Sequence, residues 1–172
     1  MSAVSPFPDW LLARLLTDEV FDAAYAGLPG ERRAWLKTCL SRLYGVLGGP
    51  RPLAELHRVR VSGLVAMQRR EPCDWVVLLL PEGALSPVRV LAALLPALLA
   101  GVRDVLAVRA VSAEAAPPWH APILAALDLA GLDMAVDLTP RRRRRLLDDL
   151  AIAGTTGVVL DGRAKPKPSG YS

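Results

Sequence analysis

Hydrophobic positions along this chain follow two rhythms. In the first third they recur every three to four residues, the period of a helix with one apolar face. Residues 8–26 carry Trp10, Leu11, Leu15, Leu16, Val20 and Phe21 on such a face, with Asp9 as a cap. "GLPGE" interrupts the pattern at 27–31. A second helix is expected through "ERRAWLKTCLSRLYGVLGG", with Trp35, Leu36, Cys39, Leu40, Leu43 and Leu47 on one stripe. Gly48 and Gly49 end it. From 57 the rhythm changes. "HRVRVSGLVAMQRR" begins with the alternation of a half-buried strand, and Gly63 marks a bend or bulge within it. "WVVLLLP", 75–81, is continuously apolar, as a parallel strand covered on both faces is.

Strand and helix then alternate. Ser86 caps a helix over 87–100 with Pro87 at its first position, and Gly101 closes it. Strands follow at 104–110, 134–138 and 157–162, separated by helices at 117–132 and 140–153 that end at Gly131 and Gly154. Short connections between alternating elements specify a parallel sheet with right-handed crossovers. The expected fold is α/β with three layers: a mostly parallel, Rossmann-like sheet of four to six strands and a helical N-terminal segment. Residues 57–70 are expected to add an antiparallel edge. Residues 1–162 read as one domain, with 1–56 a helical lead-in and 57–162 the sheet core. Residues 163–172, "RAKPKPSGYS", read as a flexible tail.

Composition narrows the function classes. Hydrophobic residues make up 52% and aromatics 5%, which suits Leu/Ala/Val helices on a buried sheet and argues against disorder. The net charge of +4 is local. Without Arg141 to Arg145, residues 86–172 would be net negative, so the chain is not basic throughout as many nucleic-acid binders are. Cys39, Cys73, His57 and His120 show no metal-ligand spacing, so no metal site is expected. The cysteines read as free thiols of a reducing cytoplasm. No signal peptide is recognised at the start of the chain. The apolar run at 90–102 is short for a membrane span and contains Pro96.

Several motifs resemble a known family. Pro81 and Gly83 form a "P-x-G" loop after a buried strand. "PALLAGV", 96–102, runs straight into the next strand, and "PILAALDLAGLD" spans 122–133. Together they resemble the coenzyme-binding half of histidinol dehydrogenase and, more broadly, the aldehyde-dehydrogenase-like superfamily. The resemblance implies a Rossmann-like domain with NAD(P) as its coenzyme. It implies a coenzyme site at Pro81, Gly83 and Ser86, completed by the helix start at Thr139, Arg141 and Arg142. It carries over no catalytic residue, because the half that supplies those groups has no counterpart here. No G-x-G-x-x-G is present, and where that superfamily places small residues near the pyrophosphate this chain has arginines.

The run "TPRRRRR" opens a helix, where the positive end of the dipole favours acids over arginines. Asp148 and Asp149, four residues after Arg144 and Arg145, can offset part of this. Three readings stand: a solvated first turn, an anion or phosphate site, or a nucleic-acid patch. The last lacks interleaved aromatics. At about 100° per residue, two or three of the five arginines at most can meet one ligand. The expected function is a catalytically incomplete nucleotide-binding or regulatory module. The alternatives are an assembly module that has lost its cofactor pocket, or one subunit of a split dehydrogenase. A protein partner or a second copy is within that range; nucleic acid and membrane are not expected partners.

Overall fold

The computed structural model describes residues 5–49, 55–61, 64–84, 86–113 and 116–162. The tail at 163–172 and Gly63 lie outside them. Among the described residues six helices and six strands follow one another: α1 (Asp9–Leu12), α2 (Asp18–Ala26), α3 (Gly30–Leu47), β1 (Glu55–Val61), β2 (Leu64–Arg70), β3 (Trp75–Pro81), α4 (Pro87–Leu99), β4 (Asp104–Ala110), α5 (Ala121–Leu129), β5 (Ala135–Leu138), α6 (Pro140–Ile152) and β6 (Gly157–Asp161).

Four strands form an all-parallel sheet in the order β5-β4-β3-β6. The expected α/β architecture is therefore present, with its parallel sheet at the lower end of the expected strand number. Strand β3 is buried along almost its whole length because both faces are covered. Val76, Leu78 and Leu80 meet α4, α5 and α2 on one face. Trp75, Val77 and Leu79 meet Phe7, Leu11, Leu146 and Leu150 of the α1 and α6 side on the other. Helix α4 is apolar nearly all round for the same kind of reason. Val90 and Leu94 face the sheet, while Leu91 and Leu95 pack outward against Leu36 of α3.

Glycine ends these helices as the sequence implies. Gly101 and Gly131 both have φ of 79°, in the left-handed region. Each closes a double hydrogen-bonded cap: Val102 N–H to Ala97 C=O with Gly101 N–H to Leu98 C=O, and Leu132 N–H to Leu127 C=O with Gly131 N–H to Asp128 C=O.

Three expectations need correction. The helix expected over 8–26 is two helices, because the main-chain N–H of Leu16 leaves the helical ladder and donates to Ala135 C=O of β5 at 2.8 Å. Thr17 then starts α2, with Asp18 and Glu19 in its first turn. The segment 57–70 is a hairpin, with Val61 opposite Leu64, and not one bent strand. A two-residue connection containing glycine favours that reversal. The hairpin forms a sheet of its own and adds no edge to the parallel one. Trp35, assigned to the apolar stripe, is 51% exposed. Helix α3 lies outermost, and only Leu36 on it is buried.

Candidate ligand site at the carboxyl end of the sheet

In open parallel sheets the crevice beyond the carboxyl ends of the strands, where the strand order reverses, is the usual ligand position. Here the chain runs from β3 through β4 to β5 in one direction, then returns on α6 to place β6 on the other side of β3. The reversal therefore lies between β3 and β6. A hollow of about 220 Å³ opens there. Pro81, Gly83 and Ser86 line it, with Arg89 and Gly162; Leu78, Leu80 and Val90 contribute apolar wall. The Ser86 hydroxyl caps α4 by accepting from Arg89 N–H at 3.4 Å. A Cβ at Gly83 would meet no atom within 4 Å, and its φ is outside the left-handed region. The surrounding fold does not itself demand glycine at that position.

Thr139, Arg141 and Arg142 lie elsewhere. With Arg145 they line a second hollow of about 300 Å³ at the start of α6, beyond β5. The structure thus divides the six coenzyme residues expected from sequence between two hollows. Three of the five arginines share the second one, which agrees with the geometric limit of two or three. Arg145 is also held from below: its guanidinium lies 4.9 Å from the Trp10 ring centre and 3.8 Å from Asp149. The Trp10 indole N–H donates to Asp149 at 2.8 Å. The expected offset of the arginine charge is therefore present at Arg145–Asp149.

What separates the hollows is a group that periodicity did not reveal. Arg109, at the end of β4, is 4% exposed. Its Nε donates to Asp137 Oδ1 at 2.7 Å and its Nη2 to Oδ2 at 2.6 Å. The same guanidinium donates to the carbonyls of Pro117 and Pro118, at 2.7 and 3.0 Å, and stands 4.9 Å from the Trp119 ring centre. These bonds agree with α5 beginning only at Ala121: residues 117–118 are held outside the helix with their carbonyls turned to the arginine. Glu82 adds a tie by accepting from Ser112 N–H and Oγ–H at 3.2 and 3.1 Å. Between these loops lies a third hollow of about 330 Å³, whose wall includes Glu82, Arg109, Trp119 and His120. One signal was available in the sequence. Asp137 is the lone charge of β5, Arg109 is the lone charge of β4 beyond its first residue Asp104, and the register sets the two opposite one another.

His120 is the exposed residue that precedes α5. Cys73 lies against an apolar groove with its thiol donating to Trp75 C=O at 3.3 Å. Burial pushes its pKa up, which opposes thiolate formation and agrees with an inert role. Among the described residues, no three His, Cys, Asp or Glu side chains converge to hold a metal ion, and no helix is long and apolar enough to cross a membrane.

No protein-family model matches the chain, and no curated protein matches it significantly. Among solved structures it is similar in fold to a histidinol dehydrogenase from Elizabethkingia anophelis, with a TM-score of 0.56 and 17% identity. The match covers 72% of this chain and 28% of that enzyme's chain. The expected likeness to histidinol dehydrogenase thus holds at the level of fold, over less than a third of the enzyme's length.

Proposed function

We propose that this chain is a dehydrogenase-like α/β module that binds a nucleotide, NAD(P) or an adenine nucleotide, without a catalytic centre of its own. The observation that supports this most is the hollow at Pro81, Gly83 and Ser86, where the strand order reverses. A glycine that no neighbour requires stands at its rim, as a closely approaching ligand would need. The helix start at Thr139, Arg141 and Arg142 supplies a separate anion-binding end, where guanidinium forks and main-chain N–H groups favour phosphate. The expected activity is binding with a regulatory output.

The test is thermal unfolding with NAD⁺, NADP⁺, ADP and inorganic phosphate at millimolar concentration. Ligands that bind the folded state raise Tm by mass action. Gly83→Val, whose Cβ would meet no atom within 4 Å, adds bulk at the rim of the hollow and is expected to remove the nucleotide response while leaving the unliganded Tm near the parent value. A flat response to all four ligands refutes the proposal.

A further inference from the structure

We propose that two copies of this chain pair antiparallel through the outer edge of β6, about a two-fold axis at Val159. Strand β6 is the last of its sheet, and among the described residues its only strand partner is β3. Gly162 N–H donates to Leu79 C=O at 2.9 Å, and Asp74 N–H donates to Thr156 C=O at 2.7 Å. Positions 156 and 162 therefore turn their main-chain groups toward β3, and so do 158 and 160 between them. Strand alternation turns 157, 159 and 161 outward.

Of the devices that usually keep an edge strand alone, this five-residue edge has only its shortness and one charge, Asp161 at its end. Residues 157–161 include no lysine and no proline, and their register with β3 is unbroken. Val158 and Val159 are 44% and 38% exposed, one on each face. On the Val158 side a mostly apolar groove of about 740 Å³ runs between β6 and α4, walled by Leu160, Ala93, Pro96 and Ala97.

A second copy fits this edge because the strand is complementary to itself. Antiparallel pairing centred on Val159 sets Val159 opposite its own counterpart, and Gly157 opposite Asp161. Outward-turned positions then meet outward-turned positions, and the two Val159 residues exchange both main-chain bonds. Asp161 faces a glycine, so no like charges oppose each other across the axis. The Val159 pair covers one face, while each Val158 neighbours the other copy's Leu160 and extends both grooves. A register centred on Val158 would present groups already committed to β3. Two-fold pairing also closes on itself, so it ends at a dimer instead of a fibre.

The experiment is sedimentation velocity of the full chain over a concentration series, with amide exchange at Gly157 and Val159. The expected result is a species of twice the 18.5 kDa chain mass with both amides protected. Val159→Lys, which opposes two charges at the axis, is expected to sediment as monomer. Leu147→Lys, at an exposed apolar position of α6, is expected to remain dimeric. If circular dichroism shows Val159→Lys unfolded, Val159→Cys with Cys39→Ser and Cys73→Ser replaces it. Paired Cα atoms about 5.5 Å apart fall within disulfide range, so mild oxidation is expected to give a covalent dimer, and Val158→Cys is expected not to. A parent chain that is monomeric at every concentration overturns the proposal. So does a folded Val159→Lys that remains dimeric, or a Val159→Cys that fails to cross-link. A monomer with a protected Val159 amide also overturns it, and indicates that the edge is covered by the chain's own hairpin.

Discussion

Both carboxylate oxygens of Asp137 accept from Arg109, at 2.7 and 2.6 Å, across the β4–β5 pair at the carboxyl end of the sheet. The guanidinium also takes two proline carbonyls, so most of its donors are used within the protein. Its charge is balanced before any ligand arrives. This makes Arg109 a strut that fixes the loop before α5 and partitions the crevice. It leaves the exposed Arg89 and the α6 arginines as the cations that face the two outer hollows.

Removing the carboxylate strands a charge that is 4% exposed. Asp137→Ala is therefore expected to cost about 3 kcal/mol, at the low end for a broken buried pair because the Asp137 side chain keeps 31% exposure. Arg109→Met with Asp137→Leu is expected to recover most of that loss, since matched apolar replacements of buried pairs are often neutral. Urea unfolding of Arg109→Met, Asp137→Leu and the double variant measures the coupling. Additive losses would show that the pair does not act as a unit.

Gly157 lies against the Trp75 ring: a Cβ there would be 2.0 Å from ring carbons. The ring is 7% exposed and its indole N–H donates to Thr155 Oγ1 at 3.0 Å, so it has little room to swing away. Gly157→Ala is expected to cost about 2 kcal/mol through overpacking. The penalty is expected to shrink in a Trp75→Ala background, where the clashing ring is gone. Chemical denaturation of the four variants of this cycle is the check; an equal penalty in both backgrounds would place the strain elsewhere.

These two pairs show what was legible in the sequence. The continuous apolar run at 75–80 announced a strand covered on both faces, and Gly101 and Gly131 marked helix ends, because each signal is local. The break at Leu16 was not legible. It depends on a bond to Ala135, far along the chain, that outweighs the helical period of residues 8–26. The Ser-Gly step within 57–70 reads as a bend or bulge because the alternation on both sides is shared by a strand and a hairpin. The family motifs located the Pro81–Ser86 loop, and their order along the chain suggested one site with Thr139–Arg142. Strand order sets the two groups at different hollows, since β5 and β6 stand at opposite edges of the sheet.

Asp128 sits in the last turn of α5, at the negative end of the helix dipole, with no basic residue beside it in that turn. Its pKa is raised, first by burial and then by the charge of Asp22. A carboxyl whose folded pKa is raised binds its proton more tightly in the folded state. The group therefore destabilises the fold where it is ionised, and this penalty fades as pH falls through the raised pKa. Asp128→Asn is expected to stabilise the protein at neutral pH by about 0.5 kcal/mol or less at this screened site. The gain is expected to vanish once the carboxyl is protonated in both states. Thermal unfolding of parent and variant from acid to neutral pH tests the sign, and a constant difference across that range would refute it.

The first turn of α6 holds arginines and no acid, although the dipole favours acid there. If the arginines serve only as a solvated turn, replacing one has a single consequence. Arg141→Glu is expected to raise stability by about 0.5 kcal/mol, because Arg141 is exposed and the helix start favours a negative charge. If the hollow they line grips phosphate, the same substitution also removes the phosphate-dependent rise in Tm, and the unliganded and liganded proteins change in opposite directions. Salt separates the two effects further, since an ionic contact to phosphate weakens steeply as screening increases. Measuring Tm for parent and Arg141→Glu, with and without phosphate and at two salt concentrations, gives the answer. A more stable variant with an unchanged phosphate response would leave the arginines a solvated turn and remove the anion-binding end from the proposed function.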